Sequence, residues 1–211
     1  MDLDKNKIEY QGILQGQIIN EIKGDEEMSR SFILTRLVNE LGYSPDRIEI
    51  EHEYTAGRPH TNTSRIDIIV RDVSGNAFLF IECKSPDAYA SDDRDQIIEE
   101  QLYRVAGMEK TEGNAVRYLV LYTTAETNEK VMDECIIIDT EKFPTFADWE
   151  LSRDFSNTLP ARYGKAQKTP YIKASAKDLE TNFSNEMLNQ LQTDLHNVLW
   201  GGGGTDDNEV F

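Results

Sequence analysis

Residues 65–85 read "RIDIIVRDVSGNAFLFIECKS", two strand-like runs separated by Ser74-Gly75-Asn76. That spacing predicts a β-hairpin. The second run constrains the fold most, because an apolar strand suited to a core carries Glu82 and Lys84 two residues apart. Buried charge without a partner is costly, so such a strand does not hold both by accident. Alternation places Phe78, Phe80, Glu82 and Lys84 on one face, and Leu79, Ile81 and Cys83 on the other. A turn centred on Ser74-Gly75 sets Asp67 opposite Glu82, and a turn centred on Gly75-Asn76 sets it opposite Lys84. Either register gathers two carboxylates and an ammonium at one end of a hairpin. Carboxylates that close repel, and one takes up a proton unless a cation intervenes. Hard oxygen ligands of this kind suit magnesium or manganese. The plainer alternative is an Asp67–Lys84 ion pair at a strand end with Glu82 solvated.

The surrounding pattern extends this hairpin into an α/β domain with a mixed sheet. Apolar residues in 5–22 have a loose helical spacing. Met28, Phe32, Ile33, Leu37, Val38 and Leu41 form a clearer stripe over 26–41, with Asp25 as N-cap, Gly42 at C′ and Pro45 beyond. Strands are expected at 47–54, 65–73, 77–85, 117–123 and 134–139, with a helix over 94–107. Residues 141–180 read as irregular, 183–200 as a last helix, and 201–211 as a glycine-rich joint toward a further domain. The expected organisation is an N-terminal helix (1–24), a core (25–140), a basic segment with its helix (141–200) and the linker (201–211).

Composition limits the partners. Lys+Arg number 22 against 39 Asp+Glu, a net charge of −17. Such a surface repels phosphates, so nucleic-acid binding needs positive charge from metals or partner chains. Two cysteines give no disulfide framework, no run approaches a membrane span, and the charged start is unlike a secretory signal. The expected setting is the cytoplasm, with no membrane partner.

Asp67 followed by Glu82-Cys83-Lys84 resembles the D…ExK signature of the PD-(D/E)XK nucleases. The stretches "DEEMSRSFILTRLVNELGYSPDRIEIEHEY", "RIDIIV", "LFIECKSP" and "EEQLYR" are similar, in order and spacing, to the nuclease domain at the N-terminus of type I restriction enzyme R subunits and related restriction proteins. The resemblance covers about residues 25–125 and implies a restriction-endonuclease-like core with a helical C-terminal extension. It implies a Mg2+-dependent (or Mn2+-dependent) endodeoxyribonuclease of a restriction-modification system, acting on double-stranded DNA with other subunits or downstream domains. ATP and S-adenosylmethionine would enter only through regions or subunits outside this chain.

By the same resemblance Asp67, Glu82 and the Cys83 backbone carbonyl are metal ligands and Lys84 is the catalytic lysine. Glu26 is the acid on the first helix, with Glu27 as fallback, although Arg30 one turn on could make Glu26 a plain ion pair. Glu51 matches a recurrent acidic position or is a solvated edge residue. Gln101 fits the glutamine of a Q-x-x-x-Y helix motif, but Val105 stands where the tyrosine is expected. Cys83 reads as a small apolar residue.

Other features are less specific. "TAGRPHTNTS" (55–64) reads as a loop in which Arg58 and His60 could touch DNA. In 151–177, Arg153, Arg162, Lys165, Lys168, Lys173 and Lys177 face only Asp154, with Phe155, Tyr163 and Tyr171 interleaved. Basic plus aromatic suits a nucleic-acid strand, with Lys165 and Lys168 as DNA-proximal residues, or an acidic partner surface, or else a loop packed on an acidic domain. Two further readings stay open: a catalytically inactive nuclease-like docking domain, and a nuclease of a repair pathway.

Overall fold

The computed structural model describes residues 8–19, 21, 23–56, 62–91, 93–111, 115–127 and 130–169, together with Thr193. The chain divides into units Met1–Thr169 and Pro170–Phe211, and the elements that follow belong to the first. They are β1 (Leu14–Gln15), α1 (Gly24–Asn39), β2 (Ile48–Ala56), β3 (Asn62–Arg71) and β4 (Ala77–Cys83). There follow α2 (Pro86–Ala90), α3 (Arg94–Ile97), a π-helical segment Ile98–Tyr103, α4 (Arg104–Thr111), β5 (Tyr118–Thr127), β6 (Lys130–Asp139) and α5 (Phe146–Ser152). The six strands form one sheet in sequence order. β1 runs parallel to β2 and β4 parallel to β5, while the other pairs are antiparallel. This is the mixed α/β architecture expected, and it is consistent with a restriction-endonuclease-like core.

β4 explains why the sheet is covered on both sides. All seven of its residues are buried, as expected of a strand that reads as a near-continuous apolar run. On one face Ile33 and Leu37 of α1 pack over Ile50, Ile68, Ile81 and Val120. On the other, Ile98, Leu102 and Val105 cover Ile66, Phe80 and Leu119. α2, α3, the π-helical segment and α4 thus form the crossover that parallel neighbours β4 and β5 require. No described helix is long and apolar enough to cross a membrane.

Several local expectations are corrected. The described part of 5–22 contains no helix. Leu14 and Gln15 instead pair with Glu49 and Ile50, a long-range contact that overrides a loose local period. Gly16 then donates its N–H to the Ile50 carbonyl, and a Cβ there would lie 2.1 Å from the Glu51 carbonyl oxygen. Only glycine permits that approach. α1 begins at Gly24, with Asp25 inside the first turn rather than capping it. Leu34 joins the core, and Met28 is exposed. The helix expected over 94–107 runs on past Gly107, as α4, to Thr111. Phe78 packs on the α1 face beside Leu79, not with Phe80, because the β3–β4 register shifts between Val70 and Arg71. Thr55, Ala56 and Asn62–Ser64 extend the β2–β3 hairpin, so the 55–64 loop is shorter than expected.

The irregular region 141–180 holds α5, opened by a capping box between Thr145 and Asp148. Beyond it the chain returns to the sheet. Ser156 bridges Ile137 on the β6 edge, and Tyr163 stacks against Tyr43 and Phe78. Arg58, His60, Tyr171, Lys173, Lys177, the 201–211 linker and, apart from Thr193, the expected helix 183–200 lie outside the described residues.

Candidate active site

The β3–β4 hairpin adopts the first of the two registers. Ile68 pairs with Ile81, Ile69 with Phe80 and Val70 with Leu79, which sets Asp67 opposite Glu82. A backbone irregularity aims Asp67. Ile66 packs in the core beneath the π-helical segment, whereas Ile68 packs under α1, so strict alternation fails at Asp67. β2 breaks at the matching place, where Glu51 takes a left-handed φ of 55°. The two kinks turn both carboxylates toward α1. The left-handed conformation of Glu51 costs energy in a non-glycine residue and persists only where surrounding contacts impose it.

Those contacts converge on Arg30, which is buried in α1. Its guanidinium meets Glu27 at 2.6 Å, Glu51 at 2.7 Å and Asp67 Oδ1 at 2.6 Å. Asp67 Oδ2 accepts the Cys83 backbone N–H at 2.7 Å, so both oxygens of Asp67 are engaged. Glu27 also accepts the Tyr10 hydroxyl, and Glu51 pairs with Arg65 at 2.6 Å. Glu51 is therefore a buried member of the cluster and not a solvated edge residue. Burial raises its pKa against the pull of Arg30, and the Asp67 charge adds to the rise. Arg30 keeps its charge, because Asp67, Glu27 and Glu51 outweigh its desolvation.

Glu82 and Lys84 complete the site. Lys84 Nζ donates to Glu82 Oε1 at 2.7 Å and lies 3.8 Å from Glu26. The lysine is paired with Glu82, not with Asp67. Its backbone is fixed on both sides: its N–H donates to the Tyr122 carbonyl, and its own carbonyl accepts the hydroxyls of Thr123 and Ser29. Desolvation opposes its charge, yet Glu82 and Asp67 hold the Lys84 pKa above its ordinary value. Glu82 Oε2 is buried with no hydrogen-bond partner. Burial first, and the Asp67 charge second, push the Glu82 carboxyl up to about 8.

That orphaned oxygen sets the test for a metal. Among the described residues no group of three or more His, Cys, Asp or Glu side chains is arranged to hold one. Two carboxylates with a backbone carbonyl and water still make a donor set of the kind magnesium takes. Glu82 Oε2 has both lone pairs free, and each Asp67 oxygen keeps a second lone pair beside its present hydrogen bond. The residues fit a hard divalent cation.

The remaining expected residues divide. Glu26, half exposed, reaches the site through Lys84, while Glu27 is the acid that pairs with Arg30. Gln101 lies in the π-helical segment with its Oε1 buried and without a hydrogen-bond partner. Val105 is buried in the apolar core, and Tyr103 donates to the Phe143 carbonyl and stacks on Phe146. Tyr103 is thus committed to the α5 side and does not replace the missing tyrosine. Cys83 is buried, and desolvation raises its thiol pKa, as suits an inert core residue.

The basic segment packs elsewhere. Tyr163 donates to the Arg71 carbonyl and stacks on Phe78, so it sits at the turn end of the hairpin, four residues from Asp67 along β3 and four from Glu82 along β4. At about 3.3 Å per residue that is about 13 Å away. Lys168 pairs with Asp154 at 2.9 Å, Arg153 pairs with Asp95, and Lys165 is exposed. Sequence reasoning missed Arg30 as the hub, together with Tyr10 and Arg65. The Glu27–Arg30 spacing was visible, but the burial of the pair was not.

Residues 25–109 match the family model described as Type I restriction enzyme R protein N terminus (HSDR_N). The matched stretch contains Glu26, Arg30, Asp67, Glu82 and Lys84. No curated protein matches the chain. Over less than half its length, but over the part that builds this site, the chain is similar to the N-terminus of type I restriction enzyme R proteins.

Proposed function

We propose that this chain is the DNA-cleaving region of a restriction-modification system, a divalent-cation-dependent endonuclease with a PD-(D/E)XK site. One observation carries the reading: the register that pairs Ile68 with Ile81 brings Asp67 to Glu82, whose buried Oε2 lacks a partner, and Lys84 Nζ is held 2.7 Å from the other oxygen. Asp67, Glu82 and the Cys83 carbonyl would hold Mg2+, or Mn2+ in its place. When bound, the cation supplies neutralisation of phosphate charge and acidification of the attacking water.

The chain's own residues do the rest. Glu82 gives up the proton that burial and Asp67 favour as positive charge enters the site. Lys84 points its ammonium at the position where the phosphate acquires charge. Its fixed backbone and its contacts to Glu82 and Glu26 spare any reorganisation during reaction. Glu26, on the exposed side of Lys84, keeps the ammonium aimed outward. Double-stranded DNA would be gripped largely by other subunits or regions, since a net charge of −17 repels phosphates. ATP- and S-adenosylmethionine-dependent steps would belong to those regions too, and the reaction would be cytoplasmic.

Lys84→Ala in the assembled system tests the reading. Mn2+ binding should persist, and tighten as an ammonium leaves the site, while cleavage falls by about three orders of magnitude or more. Unchanged cleavage would remove Lys84 from catalysis. The same tightening with a modest fall in cleavage would make it a salt-bridge partner only.

A further inference from the structure

Arg30 does more than fasten α1 to the sheet. Glu27 on its own helix and Glu51 on β2 already supply two carboxylates, which would satisfy a structural arginine. The third contact falls on Asp67 Oδ1, opposite Glu82, and the Cys83 N–H takes the other oxygen. Arg30 is 8% exposed at the side chain and its Nε has no partner. The guanidinium is therefore committed by its two terminal nitrogens to acids and not to water. It is also the nearest fixed positive charge to the Asp67 side of the pair, as Lys84 is to the Glu82 side.

We infer that Arg30 is a positioning residue with two linked effects, an inference that rests on the cation-dependent reading above. Together with the Cys83 N–H it fixes the plane of the Asp67 carboxylate, so that the free lone pairs face Glu82. By its charge it also weakens the hold of the Asp67–Glu82 pair on a divalent cation. An Asp67 released from Arg30 would bind a cation more tightly but in a less defined position. The two effects oppose each other in binding and in rate, which a simple fastening would not produce.

The measurement is Mn2+ binding to the full chain by calorimetry, with DNA cleavage by the assembled system read in parallel. Arg30→Met should tighten Mn2+ binding by about tenfold or more, because a unit positive charge leaves the edge of the site, and cleavage should fall. Arg30→Lys keeps the charge but not the fork. It should restore near-wild-type Mn2+ affinity while cleavage stays low. If Arg30→Met does not fold, Arg30→Gln, which keeps hydrogen-bonding capacity without the charge, carries the test, with the same tightening expected. Unchanged or weaker Mn2+ binding in a folded variant would overturn the inference. Glu82→Gln separates this failure from that of the underlying reading. Wild type that binds Mn2+ in a Glu82-dependent way, without tightening in the Arg30 variants, sinks only the Arg30 role. Wild type and variants that all fail to bind Mn2+ sink both.

Discussion

Two arginine-centred clusters lie on opposite faces of the sheet, and they differ in one respect. Under the helical crossover, Arg71 pairs with Glu49 and Glu109, Tyr54 donates to the other oxygen of Glu109, and His52 meets the other oxygen of Glu49. Every carboxylate oxygen there has a partner. At the site built by Arg30 and Lys84, Glu82 Oε2 and Arg30 Nε have no hydrogen-bond partner, and Glu51 Oε2 has only its ion pair with Arg65. The pKa directions follow. The His52 contact and then, against burial, Arg71 hold the Glu49 carboxyl down at about 2, whereas burial and Asp67 push Glu82 up to about 8. A saturated network ties elements together, and an unsaturated one is poised to accept something from outside.

The largest effect should come from emptying the unsaturated cluster. Asp67→Ala should lower DNA cleavage by about three orders of magnitude or more without unfolding the domain, since relief of the repulsion on Glu82 offsets the lost Arg30 and Cys83 N–H contacts and Arg30 keeps Glu27 and Glu51. Plasmid cleavage by the assembled system and chemical denaturation of the chain read the two halves of this expectation. Wild-type cleavage would dissolve the contrast.

Emptying the saturated cluster should do the reverse. Arg71→Met leaves Glu109, 1% exposed at its side chain, without its charge partner, and stability should fall by about 3–5 kcal/mol. Urea denaturation measures it. A loss under about 1 kcal/mol would mean that this network is not the tie it looks like.

The sequence made part of this contrast legible. The Ser74-Gly75-Asn76 turn and the apolar alternation narrowed the hairpin to two registers, one of which brings Asp67 to Glu82. Those signals are local. The role of Arg30 was not legible, because it depends on simultaneous kinks at Glu51 and Asp67, and neither residue type announces a change of strand face. The Leu14–Gln15 strand was hidden for a related reason: its partner is β2, more than thirty residues away. α5 did carry a signal, Thr145 three residues before Asp148, at the spacing of a capping box. The basic run 151–177 looked like a nucleic-acid surface because charge was counted along the chain, whereas Lys168 and Arg153 are met in space by Asp154 and Asp95.

A dependence on pH also separates the clusters. The folded-state pKa of Glu82 lies above its unfolded value, so its contribution to stability is full below the ordinary carboxylate range and is lost as pH rises toward about 8. Glu49 is depressed, so its contribution is present above the ordinary range and is lost as pH falls toward about 2. Metal-free chain should therefore lose stability between about pH 5 and 8 with a slope of up to about 1.4 kcal/mol per pH unit, and Glu82→Gln should flatten it. Denaturation midpoints across that range would show it. A slope that survives in Glu82→Gln would assign it to another group.

The most direct test sets Glu82→Gln beside Glu109→Gln in the assembled system, with Mg2+-dependent cleavage of plasmid DNA measured at a temperature where both remain folded. Glu82→Gln should be as stable as wild type or more so, with cleavage abolished, and Glu109→Gln should be less stable with cleavage retained. Wild-type cleavage by Glu82→Gln would contradict the assignment of the active site.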